Sequence, residues 1–174
     1  GSLNANINSS VASIVINPSS GLLSVGTGSL LLIGTERMVV IARSMALSGG
    51  TISSALLDTQ ASTLVATSDG TLFAAGEVIL IGSERMYVNE IAGNNLIVTR
   101  AYDGTALAEH SSSTVIYAVR NATVVRGALG STAASHTAAD AVYVHAYPAL
   151  LVELVTGEAI VMLEQRSAGY SFVT

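Results

Sequence analysis

Arg100, Asp103 and His110 fall within one short segment, Arg-Ala-Tyr-Asp-Gly-Thr-Ala-Leu-Ala-Glu-His. Such a set could supply an anion clamp, an acid and a base. The segment is repeated as Arg-Gly-Ala-Leu-Gly-Ser-Thr-Ala-Ala-Ser-His, so that Arg126, Gly130 and His136 each follow Arg100, Gly104 and His110 by 26 residues. Tyr143 follows Tyr117 at the same offset. The second copy has Leu129 where the first has Asp103. A reactive site is not expected twice in succession with its acid missing from one copy, so the repeat predicts a scaffold loop. Gly104 and Gly130 would then take a backbone conformation that other residues avoid. Residues 105–109 would form one helical turn capped by Thr105. The histidine rings would hydrogen-bond loop backbone.

A second repeat runs at a different offset. Gly34-Thr35-Glu36-Arg37-Met38 returns 48 residues later as Gly82-Ser83-Glu84-Arg85-Met86, each after an apolar run. Two apolar runs across a short Gly-containing gap predict a hairpin. Glu36 with Arg37, and Glu84 with Arg85, would meet across the strands as exposed pairs, which contribute only ~0–1 kcal/mol. The methionines would fill core gaps.

The elements that must position these residues follow from the apolar pattern. Strands are expected at 11–16, 30–33, 37–41, 63–66, 78–81, 85–91, 96–100, 114–119, 121–126 and 141–145. Asn17-Pro18-Ser19-Ser20-Gly21, Ser68-Asp69-Gly70 and Ala92-Gly93-Asn94-Asn95 are turn clusters. Residues 44–56 are weakly patterned and read as a degraded remnant of the loop. After Pro148 the texture changes: 149–166 has near-helical spacing and predicts the one helix. It is apolar nearly all round and so calls for burial on more than one side.

Composition narrows the function. Half of the 174 residues are apolar, 11% are charged, and all seven basic residues are arginine. The net charge of −5 argues against a basic nucleic-acid footprint and a polybasic membrane patch. No apolar run approaches the ~18 residues of a membrane helix. Cysteine is absent, which excludes disulfides, thiolate metal sites and cysteine nucleophiles. His110, His136 and His145 show no metal-ligand spacing. No phosphate-cradling glycine loop precedes a helix, so neither cofactor nor metal is expected.

The pattern Ile-Gly-Ser-Glu-Arg-Met-x-Val, Gly-Asn-x-Leu-x-Val-Thr-Arg, Asp-Gly-Thr-Ala-x-Ala-x-His resembles a repeat of tailed-bacteriophage structural proteins. It spans about residues 9–143 and is best matched at 76–110. The segment 148–170 resembles, less specifically, a helical stretch of head–tail adaptor proteins. The apolar pattern predicts a mainly β fold: antiparallel meander modules, sandwich or small barrel-like, built from the internal repeats, with one C-terminal helix. The expected division is 1–56 as a truncated first module, 57–147 as a second module with both loops, and 148–174 as helix and tail. The implied function is non-enzymatic: a virion component assembled in the host cytoplasm, acting as a ring-forming head–tail adaptor or tail protein. Its partners would be further copies of itself and portal, neck or tail proteins. Leu151, Leu154, Val155, Ile160, Leu163, Arg166 and Tyr170 would carry the assembly contact. The competing expectation is a β-rich fibre or baseplate module that binds a receptor or carbohydrate.

Overall fold

A computed structural model describes residues 1–18 and 25–167. Gly21 of the first turn cluster and Tyr170 of the expected assembly contact lie outside them. Among the described residues the strands are β1 (Ser2–Leu3), β2 (Ser13–Asn17), β3 (Leu30–Ile33), β4 (Glu36–Thr51), β5 (Leu64–Ala66), β6 (Val78–Ile81), β7 (Glu84–Ala92), β8 (Asn95–Thr99), β9 (Val115–Val125) and β10 (Val142–Val144). A helix, α1 (Ala149–Ser167), follows. The fold is mainly antiparallel β with one C-terminal helix, as expected. The chain divides into Gly1–Val144 and the segment from His145 onward.

The two repeat offsets are explained by a nested duplication. The outer set runs β2–β9–β4–β3–β10, using the second half of β9 and the first half of β4. β1 closes it, pairing with β2 on one side and bridging Ser2 to Ala141 on the other. The inner set runs β5–β8–β7–β6–β9 in the same order, using the first half of β9. Here the second half of β4 closes the ring, pairing with β9 and carrying Ile52 to a bridge with Thr67. Each path is a small closed barrel, which leaves few open strand edges. Even the irregularities are duplicated. The β4–β9 register slips between Val40 and Ala42, and the β7–β8 register slips between Val88 and Glu90. These bulges sit 48 residues apart, at Ile41 and Asn89.

The inner barrel is therefore inserted at the tip of a hairpin of the outer one. In the inner barrel, β7 and β8 join directly through Gly93 and Asn94. In the outer barrel the matching strands run on as β4 and β9 and carry the whole insert between them. This corrects three expectations. Residues 44–51 are not a loop remnant but the second half of the 16-residue strand β4. The segments expected at 114–119 and 121–126 are one strand, β9. The expected boundary after residue 56 does not match the packing: the loop that begins at Arg126 closes on Glu36 in the outer barrel, and the inner barrel begins within β4.

Alternation along the strands fills two separate cores. The outer core gathers Leu3, Ile14, Ile16, Leu31, Ile33, Met38, Val40 and Val124. The inner core gathers Ile52, Val65, Phe73, Ile79, Ile81, Met86, Leu96, Val98 and Ile116. On β9 the inward face switches cores between Ala118 and Ala122, and Arg120 stands at the switch. Its guanidinium is buried against Glu77, at 2.9 Å to each carboxylate oxygen, and lies 5.7 Å from the Phe73 ring centre.

In α1 the first N–H groups, of Leu151 and Val152, turn back onto the Pro148 carbonyl. Leu151, Leu154, Val155, Ile160, Leu163 and Arg166 are all exposed. Among the described residues no helix is long and apolar enough to cross a membrane.

Because the inner core draws only on residues between β4 and Arg120, residues 45–120 should fold when excised. The expected result is a β-type circular dichroism spectrum with one cooperative melt. A broad, non-cooperative melt would show that the inner barrel depends on the outer one.

Candidate functional site

Both arginine–histidine loops converge on a glutamate of the neighbouring hairpin. In the inner barrel Arg100 donates Nε to Glu84 Oε1 and Nη2 to Oε2, both at 2.8 Å. The backbone N–H groups of Ala101 and Ala108 add bonds of 2.8 and 3.1 Å, and His110 Nε2 lies 2.9 Å from Oε2. In the outer barrel Arg126 meets Glu36 at 2.7 and 2.8 Å. Gly127 N and Ala134 N each donate at 3.0 Å, and His136 Nε2 lies 2.8 Å away. The two sites match contact for contact.

Each guanidinium is also fully used. An arginine offers five N–H donors. Arg100 spends two on Glu84 and three on the carbonyls of Leu57, Ser62 and Ala108. Arg126 does the same with Asn8, Val11 and Ala134. Each arginine thus ties a preceding segment, a hairpin and its own loop to one point.

Electrostatics follow from this geometry. Both glutamates are essentially buried, at 1% and 0% exposure. Burial alone would raise their pKa, but the arginine, backbone and histidine bonds together hold both at about 2. An ionised carboxylate only accepts, so each histidine must donate its Nε2–H to it. A carboxylate that already takes five hydrogen bonds has no free lone pair for a substrate proton.

These findings correct several sequence-based expectations. The histidines bond a carboxylate rather than loop backbone. Glu36 and Glu84 do not pair across the turn with Arg37 and Arg85 at the surface; they point into the barrels. Asp103 does not join Arg100 and His110 but pairs with Arg85 at the surface. In the second loop, where Leu129 replaces it, Arg37 Nη1 reaches the Leu129 carbonyl at 3.4 Å. The helical turn expected at 105–109 is instead a tight turn at Tyr102–Gly104, closed by Thr105 N–H on the Tyr102 carbonyl, with Asp103 left-handed inside it and Thr105 extended just after. Ala128–Gly130 forms the same turn in the second loop.

The loops hold their shape through left-handed residues. Gly104 and Gly130 have φ of +73° and +76°, as expected. Asp103 and Leu129 are left-handed too, and so is the pair Ala101 and Gly127. Non-glycine residues in this region cost of order 1–3 kcal/mol, so the lock must over-determine the loop. The turn glycines Gly34 and Gly82 share a φ of +58°, and a side chain at either would meet the ring of His136 or His110. Thr105 and Ser131 hydroxyls accept from Arg85 N and Arg37 N, joining loop to hairpin.

Sequence reasoning missed Glu36 and Glu84 as the centres of these sites. The available signal was numerical: two Gly-x-Glu-Arg-Met hairpins accompany two Arg…His loops. Among the described residues no cluster of three His, Cys, Asp or Glu is placed to hold a metal ion.

Two measurements follow. Glu84→Gln leaves Arg100 buried without its counter-charge, and should destabilise the protein by about 3–5 kcal/mol in denaturant unfolding. Glu36→Gln should do the same in the outer barrel; a loss under 1 kcal/mol in both would show that neither lock holds its loop. The pH dependence has a definite sign. A carboxylate whose folded pKa lies at about 2, against an ordinary 4.5, stabilises fully above the ordinary value and loses that contribution as pH falls toward 2. Each glutamate should contribute about 3 kcal/mol that disappears across this window. Thermal melts from pH 6 to 2 should show the fall, and the two Gln variants should flatten it.

Comparison of the chain with protein-family models, with curated proteins and with solved structures finds no match.

Proposed function

We propose that this chain is a non-enzymatic structural subunit of a tailed-phage virion, a ring-forming head–tail adaptor or tail protein. The observation that carries the proposal is the saturation of both Glu–Arg–His sites. The residues with the most reactive chemistry in the sequence are spent on holding loops, twice, in the same way. The exposed apolar α1 supports the same reading, because a surface of this kind is stable in water only when a neighbour covers it. Repeated subunits meet through heterologous contacts, in which one patch meets a different patch on the next copy. The acidic, lysine-free composition fits a protein that does not grip DNA.

A receptor- or carbohydrate-binding module is the second reading. One observation favours it: Tyr87 and Tyr102 stack at 5.4 Å between ring centres, with Tyr102 exposed. One tyrosine pair offers little stacking surface for a sugar chain, so the structural role remains the conclusion.

In sedimentation velocity the full-length protein should run as an oligomer, and a chain ending after Tyr147 should run as a monomer with an unchanged β spectrum. A full-length protein that stays monomeric at high concentration would overturn the assembly reading.

A further inference from the structure

Four adjacent strands of the Gly1–Val144 unit build a cleft on their outward faces. β4, β9, β6 and β7 lie side by side, and Arg43, Val119, Val78 and Arg85, one from each, line a cleft of 440 Å³. Met45 and Tyr102 complete its walls. Arg85 stands at one side of an apolar floor; at the other, Arg43 spends Nη1 and Nη2 on the carbonyls of Val25 and Val119. The floor continues along the strands, where Leu47, Tyr117 and Leu80 are successive cross-strand partners. Leu47 and Tyr117 are among the exposed large apolar residues. Three strand spacings of ~4.8 Å separate β4 from β7, about 14 Å in all. An α-helix with its side chains is ~10–12 Å across.

α1 carries the matching stripe. With successive residues about 100° apart, Leu150, Leu154 and Val161 fall within an arc of roughly 40°. Gly157 lies beside them, Glu153 stands on one flank and Glu158 on the other, so these six residues share one face of the helix. The helix face is acidic on both flanks, and the cleft offers Arg85 at one side with the positive charge of Arg43 set back at the other. Arg85 is already paired with Asp103, so the cleft carries two positive charges and one negative, against two negative charges on the stripe.

We propose that α1 of a second copy of this chain docks in this cleft, its Leu150–Leu154–Val161 stripe on the Val78–Val119 floor and one of its two flanking glutamates beside Arg85. The inference rests on the self-assembly proposed above and names the surface that receives the helix. Charge opposition across the rim fixes orientation and selects the partner, while the apolar stripe supplies the affinity. In the outer barrel Ala128 and Leu129 stand where Tyr102 and Asp103 stand here, so the duplicated surface lacks the aromatic wall.

The absence of cysteine allows a clean test with the full chain. One preparation carries Val78→Cys and another Leu154→Cys; they are mixed and treated with a short bis-maleimide. The expected product is a covalent dimer containing one chain of each kind. Adding Arg85→Glu to the first chain should lower its yield severalfold, and adding a single reversal to the second, Glu153→Arg or Glu158→Arg, should restore it for the glutamate that faces position 85. Circular dichroism melts of each variant control for folding. Products made only of two Leu154→Cys chains would mean that helices pair with each other, and would overturn the proposal. So would a Val78→Cys, Leu154→Cys double variant that closes within a single chain at high dilution. Oligomers in sedimentation without the mixed product sink this inference alone, whereas a monomer sinks the assembly reading as well.

Discussion

A carboxylate removed from water must be given back, by the protein, the hydrogen bonds that water supplied. Glu36 and Glu84 meet that requirement in the same way, each with an arginine fork, two backbone N–H groups and a histidine. Much of the local structure follows from satisfying them. The backbone donors come from the residue after the arginine and from one eight residues after it, so the loop must curl around the carboxylate. That curl forces three residues of each loop into the left-handed region. The strain persists because a relaxed loop would withdraw its two backbone donors and leave each buried carboxylate without full compensation. The lock is thus the reason the loops have their shape, and the arginine's remaining donors hold the segments that lead into β5 and β2.

The same lock closes over very different lengths of chain. Glu84 and Arg100 are 16 residues apart, whereas Glu36 and Arg126 are 90 apart. For a flexible chain the longer closure would cost about 1.5 kcal/mol more in entropy. The insert removes much of that cost, because it is not a flexible chain. Once the inner barrel forms, it pairs the second half of β4 with the first half of β9. The first half of β4 and the second half of β9 then emerge side by side, already in register for the outer barrel. The buried Glu77–Arg120 pair sits at this crossing, where a continuous apolar face would otherwise merge the two cores.

How much of this was legible in the sequence depends on whether the signal was local. The hairpins β3–β4 and β6–β7, the start of α1 and the two repeat offsets were readable from periodicity and turn residues. The nesting was not, because nothing near Ala46 or Ala118 distinguishes a long strand that crosses two barrels from two short ones. The second half of β4 has its inward side partly on Ser48 and Gly50, so the apolar alternation that marks a strand is missing. The central glutamates were hidden for a different reason. A Glu-Arg pair after a tight turn is the usual pattern of an exposed hairpin, and only the arginine–histidine loop, distant in sequence, makes burial of the glutamate tolerable. The left-handed residue at Ala101 has no signal of its own. Its counterpart Gly127 does, so the conformational demand was readable from the second copy.

The helix presents the inverse problem. In the barrels polar groups are buried and satisfied; in α1 apolar groups are exposed and unsatisfied. Nineteen residues are only just enough for a helix to hold together by itself, and Gly157 weakens the centre by about 1 kcal/mol relative to alanine. The apolar residues that surround it would gain nothing from helix formation in water. Most helical stability in proteins comes from packing one face against something else. An ordinary surface helix shows one apolar face, but this one is apolar on nearly every side, so a single contact would leave much of it wet. The two barrels need no help of this kind, since each encloses its own core. An element that is weak alone, apolar all round and joined to a self-sufficient body is the feature on which the assembly proposal rests.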